Sequence, residues 1–237
     1  MIQRFVLVCF ACGFPIGLAH PSHGQDPGHE RSLPVKEFGE PPADLAKLIR
    51  DAEVTFVTGG RPQSNPSTLS AGDRLSGETR FKLFYRYNGR VQWRPIPSSG
   101  GNRIEVKFRL SSLKVTSRHQ IWLRRPPASE DFWQDPLVQH EFDHVRVSSH
   151  PAVANLFKKE ARSLQRFEVS LRDVADGRGR VSRECVDAVV QKKLNESLEG
   201  ITEYVRIRYR ELDRQTRHGL LPRPESFSLK VMPDGQP

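Results

Sequence analysis

The sequence predicts an α+β fold, an antiparallel β-sheet of about four strands followed by three helices. Residues between Phe81 and Trp122 alternate with period two and include aromatic side chains, whereas most of the chain after Pro126-Pro127 carries apolar residues at three- and four-residue spacings. The double proline divides the two patterns.

Taken in order, Arg4 precedes an apolar run from Phe5 to Ala19 that ends at His20-Pro21-Ser22-His23-Gly24. A basic start, a short apolar stretch and a small-residue exit read as a signal peptide over 1–19, too short to span a bilayer. Export to the periplasm or beyond is expected, with no transmembrane span in the mature chain. Cleavage would remove Cys9 and Cys12, leaving Cys185, in a periodic helical segment, as a small apolar residue without a disulfide partner. Residues 20–42, rich in Pro, Gly, His and charge, read as a flexible leader, so His20, His23 and His29 are not expected to form a metal site. The folded domain is expected over 43–222, with a mostly irregular tail over 223–237.

Within the domain, Ala43 to Ala52 reads as a short helix and Val54 to Val57 as a first strand, with a Gly/Pro/Ser/Asn-rich loop over 59–76. Strands are expected at Phe81 to Tyr87, Val91 to Pro95, Ile104 to Leu110 and Leu113 to Trp122. Asn88-Gly89 reads as a hairpin turn, and Ser98 to Asn102 as another. His119 falls in a strand and reads as a surface histidine. Asp135-Pro136 is an N-cap and first-turn proline, opening a helix that Pro151 ends. A second helix is expected through Val153, Phe157, Leu164, Phe167, Leu171 and Val174. The third is long, from about Ser182 to Thr216, with an apolar stripe from Val186 to Leu212 and a stop at Gly219.

The first of these helices carries His140-Glu141-Phe142-Asp143-His144. Positions i and i+4 share a helix face, so both imidazoles can ligate one zinc ion, in a zincin-like arrangement. Glu141 is then placed to take a proton from water on the metal and pass it to a leaving amine. A catalytic zinc needs a third protein ligand. His150 occupies the third-histidine position of a longer protease motif. There the usual glycine is replaced by Val147, which resists the required turn, and on a continued helix His150 points roughly 120° away from His144. Glu160 and Glu168 are available from the next helix but read better as solvated. His218, after the long helix, is a further candidate beside His150.

The signal peptide, the β-rich first half, the His-Glu-x-x-His helix and the closing Asp213-x-x-Thr216-x-His218-Gly219 resemble a bacterial family of unknown function described as predicted secreted zinc-dependent proteases. The resemblance covers roughly 54–219, with Trp93 as a further anchor. It implies His218 as the third ligand and Asp213 or Thr216 as a group orienting a ligand histidine. A sheet cysteine suggested by the family is absent, so Cys185 has no implied partner.

Together these readings predict a secreted zinc metallopeptidase with ligands His140, His144 and His218 and with Glu141 as general base. Tyr204, Tyr209 or an arginine of the last helix is available to the oxyanion. The expected substrate is a peptide or protein, or an amide of the cell envelope. The formal charge of +9 suits an anionic envelope component. The basic residues are dispersed and accompany no nucleic-acid motif, which argues against specific nucleic-acid binding. The rival reading is a non-catalytic envelope-binding domain with a structural or vestigial metal site.

Overall fold

The computed structural model describes residues 4–6, 29–63, 75–97, 100 and 102–229. Cys9, Cys12, His20, His23 and most of the expected signal peptide lie outside them. Among the described residues no helix is long and apolar enough to cross a membrane. The fold is mixed α+β with a mostly antiparallel sheet, and the chain divides into two compact units.

One unit gathers Leu83–Thr116 and Pro151–Arg206. Its strands run in the order β1 (Arg4–Val6), β4 (Gly77–Pro95), β5 (Arg103–Leu123) and β6 (Arg166–Ser170), with β1 antiparallel to β4 and β6 antiparallel to β5. Phe157 of α3 (Pro151–Ser163) packs on Tyr85, with ring centroids 5.1 Å apart. In α5 (Arg183–Thr216), Val186, Val190, Leu194, Leu198, Ile201 and Val205 form the buried stripe that the spacing predicts.

Two expectations fail in this unit for physical reasons. Asn88-Gly89 does not turn the chain: β4 runs unbroken through it, as β5 runs through Ser111-Ser112, and four expected strands become two long ones. Glycine at 89 instead serves a close approach, since a Cβ there would lie 2.5 Å from the Phe108 ring. The second expected helix stops at Ser163. Arg166–Ser170 forms β6, placing Phe167 opposite Val106 and Val169 opposite Ile104, before the short α4 (Leu171–Val174). A five-residue period-two run beside an open strand gains more from ladder hydrogen bonds than from another helical turn.

The other unit draws on the chain up to Lys82, on Ser117–His150 and on the segment from Ile207. Here β4 neighbours β5, β5 pairs in parallel with β3 (Val54–Thr58), and β3 pairs antiparallel with β2 (Arg31–Leu33). Helix α1 (Ala43–Asp51) matches its expected place. Helix α2 (Pro136–Ser148) is capped as anticipated, the Asp135 carboxylate accepting from the Leu137 and Val138 amides at 2.9 and 3.2 Å. Phe142, Val138 and Val145 of α2 enter a core with Phe56, Ile121, Leu123, Phe132 and Trp133.

Residues 31–38, expected within a flexible leader, are instead structural. Leu33 is buried on an edge strand, and Phe38, in a turn of 3₁₀ helix at Val35–Phe38, stacks on Phe132 with centroids 3.6 Å apart. The tail is also anchored at its start, because Phe227 is buried beneath the Arg208 guanidinium. Phe38→Ala is therefore expected to cost about 3–5 kcal/mol of stability, as for truncation of a buried phenylalanine. Urea denaturation measures it, and an unchanged midpoint would contradict the placement of this segment in the core.

Candidate metal centre

Helix α2 turns His140 and His144 toward the last turn of α5, where Asp213 meets them. The Oδ1 atom of Asp213 lies 3.0 Å from Nε2 of His140 and 3.0 Å from Nε2 of His144, and the two nitrogens are 3.2 Å apart. Among the described residues this is the one group of three or more His, Cys, Asp or Glu side chains whose donor atoms converge to within 4.8 Å. Donors roughly 2.0–2.1 Å from a tetrahedral ion stand roughly 3.3 Å from one another, so the triangle has nearly the size of one face of such a site. Both imidazoles are buried, while the Asp213 side chain keeps 23% of its surface, so the face opens on the aspartate side.

The structure brings Asp213, rather than His218, to the two histidine nitrogens. Asp213, expected to orient a ligand histidine, supplies the converging atom itself. His218 lies beside it, with Nδ1 3.6 Å from Asp213 Oδ1, and does not join the triad. The backbone explains the exchange. Helix α5 ends in a Schellman turn, the His218 amide donating to the Asp213 carbonyl at 2.9 Å, with Arg217, His218 and Gly219 all at positive φ. That turn leaves Nδ1 of His218 beside the Asp213 carboxylate, while Asp213 itself meets the histidines of α2. His150, Glu160 and Glu168 are likewise outside the convergent set.

The other motif letters have defined contacts. His140 Nδ1 is 3.3 Å from the Thr216 hydroxyl, which itself donates to the Leu212 carbonyl at 2.9 Å. Nδ1–H can then donate to Thr216, leaving the Nε2 lone pair for a cation. Gly219 sits against His140: a Cβ there would be 3.0 Å from the histidine Cβ and 3.1 Å from Cγ, at a φ of 84° that favours glycine. Nδ1 of His144 is buried without a hydrogen-bond partner among the described residues, and its ring packs on Tyr209 at 4.3 Å.

Glu141 is buried on the adjacent face of α2. Its Oε2 accepts from the Thr79 hydroxyl at 2.7 Å. Gly77 makes room for it, since a Cβ at 77 would lie 2.6 Å from Oε1. Burial pushes the Glu141 carboxyl above its ordinary range, although the nearby histidines and the Thr79 bond work the other way. Burial likewise opposes ionisation of Asp213, yet hydrogen bonds and charge from the two histidines hold it well below the usual carboxylate range. For His144, burial disfavours the cation, but the bond to Asp213 and its charge raise the ring above its ordinary value. Asp143 is no competitor for the ion, because Arg146 and Arg223 occupy its two oxygens at 2.8 and 3.0 Å.

One residue differs from its sequence reading as a surface histidine. His119 is buried, its Nδ1 2.8 Å from the Ala52 carbonyl and its Nε2 2.6 Å from the Ser148 hydroxyl. Tyr209 donates to that same hydroxyl at 2.8 Å, which leaves its phenol engaged, while Tyr204 is exposed on a part of α5 outside this unit. No sequence signal marks Gly77, Thr79 or Ser148, because each matters through a partner remote along the chain.

No protein-family model, curated protein or solved structure matches this chain.

Asp213→Ala is expected to weaken binding of a divalent cation at least 100-fold, and His218→Ala to weaken it less than 10-fold, in competition with a chromogenic chelator. The reverse order would return His218 to the ligand set. A second expectation concerns pH. Burial pulls the His119 ring down to about 4, offset in part by its bond to Ala52. The folded state thus binds this proton only at lower pH than the unfolded chain does. The stability that neutral His119 contributes is present above about pH 6.5 and is lost as pH falls toward about 4, amounting to about 3 kcal/mol. His119→Gln should flatten the pH dependence of unfolding in that window by about one proton, as measured by denaturation at several pH values.

Proposed function

We propose that the protein is an exported zinc-dependent metallopeptidase, with His140, His144 and Asp213 as ligands and Glu141 as general base. The observation that carries this reading is the ion-sized triangle of two imidazole nitrogens and one carboxylate oxygen, with a second, buried carboxylate one residue along the same helix. A zinc ion bound there would acidify a water molecule and polarise the scissile carbonyl. Glu141 accepts the proton, and its burial favours holding it until the leaving amine takes it. Thr79 fixes the carboxylate through Oε2. Thr216 holds the His140 ring, and His218 stands at the rim with Nδ1 3.6 Å from Asp213 Oδ1.

Two histidines and one carboxylate also suit non-haem iron. Glu141 favours hydrolysis, since an acid–base group beside the donors serves proton transfer to and from an amide. The substrate is assigned as a peptide or protein bond, following the family resemblance, with an amide of the anionic envelope as the variant suited to a chain of net charge +9. Export rests on the N-terminal sequence pattern.

Glu141→Gln is expected to keep the metal while lowering turnover of a mixed peptide library by a factor of about 10² to 10⁴. Elemental analysis reports the metal and mass spectrometry of the digest reports cleavage. Unchanged turnover rejects Glu141 as the base. Iron in place of zinc, with no cleavage by the wild type, rejects the hydrolase.

A further inference from the structure

Beside the metal centre lies a cavity of about 280 Å³, between one face of α2 and the segment that follows the turn of α5. Pro136, His140 and Asp143 recur along α2 at four- and three-residue intervals and so share a face. The opposite wall runs from Gly219 to Arg223, in the same compact unit. That wall is held at three points. Gly219 lies against Cβ, Cγ and Cδ2 of His140, the Leu221 amide donates to the Thr216 carbonyl at 2.8 Å, and the Arg223 guanidinium donates to Asp143 Oδ2 at 3.0 Å. Pro222 and Pro224 stiffen the chain around the last of these anchors, so the cavity is preformed.

Its chemistry is apolar. Leu220, Leu221, Pro222 and Pro136 line it, while Arg223 and Asp143 are engaged with each other and the Gln139 amide donates to the Trp133 carbonyl. Leu220 is 82% exposed and Leu221 46%, so two large apolar side chains meet water where they border the cavity. Apolar surface exposed around a cleft marks a binding groove. A cavity of roughly 150 Å³ admits benzene, so this larger space has room for one leucine or phenylalanine side chain.

The cavity meets the donors through one ring. Cδ2 of His140 faces Gly219, and Nε2, its covalent neighbour, faces Asp213. We propose that this cavity is the subsite for a large apolar side chain of the substrate, on a residue flanking the cleaved bond, and that Leu220 and Leu221 set the preference. The proposal rests on the metallopeptidase reading and narrows its substrates to chains with an apolar residue at the cleavage point. A charged side chain there would lose its water without gaining a partner, because the ion pair between Arg223 and Asp143 is already closed.

Digestion of a mixed peptide library by the zinc-loaded protein, with cleavage sites read by mass spectrometry, tests it. Leu, Ile, Met and Phe are expected to be enriched about 10-fold or more over Asp, Glu and Lys at one of the two positions flanking the cleaved bond. Leu220→Asp and Leu221→Asp, both surface changes, should each lower that enrichment about 5-fold or more and raise Lys at the same position, with zinc content unchanged. A fluorescently labelled peptide of a preferred sequence should bind the Glu141→Gln protein about 10-fold more tightly than its counterpart with Asp at that position, as read by anisotropy. Cleavage without an apolar preference at either position, or a preference that both variants leave intact, would overturn the subsite and spare the peptidase. Absence of cleavage of any peptide would remove both.

Discussion

The metal-centre unit depends on one atom, Oδ1 of Asp213, which two buried imidazoles approach to 3.0 Å. A carboxylate in that position needs positive charge, and only two sources can supply it: protons on the histidines or a cation among the three donors. Protons and a metal ion would therefore compete for the same place, and binding of an ion there would release protons. The surrounding features maintain this geometry. Asp135 starts α2 at the right residue, Thr216 orients His140, Gly219 lets the chain lie against that ring, and Gly77 leaves space for Glu141.

Much of the fold was legible because it rests on local periodicity. The capped α2, the start of α1 and the long α5 with its buried stripe all follow from spacings within one element. What was illegible depended on partners far along the chain. Gly89 looks like a turn residue, but its smallness accommodates Phe108, nineteen positions away. Phe167 fits a helical stripe with Leu164 and Leu171 and fits a strand with Val169, and the free edge of β5 decides between them. Leu33 and Phe38 belong to a segment whose composition reads as disordered, yet two apolar side chains in the core suffice to order it.

The candidate site shows the same division. The i, i+4 pair is legible because helical geometry alone brings His140 and His144 together. The choice between Asp213 and His218 is not, since it turns on how the chain leaves α5. Both residues can ligate by chemistry, and the left-handed run at Arg217, His218 and Gly219 sets where each stands relative to the two histidines. Two non-glycine residues at positive φ in succession are uncommon, and the sequence before them carries no signal for that turn. The burial of His119 is illegible for a related reason: a histidine in a strand has no local mark of burial, and its partners, Ala52 and Ser148, come from elsewhere in the chain.

The separation of Asp213 and Thr216 by three residues has an evolutionary corollary. They touch the same histidine from one turn of helix, one at Nε2 and the other at Nδ1. A single-residue insertion between them would rotate one about 100° from the other, so His140 could keep its anchor or its aspartate, but not both. Lineages carrying this centre should thus vary freely in the length of their surface loops while preserving this interval without gaps.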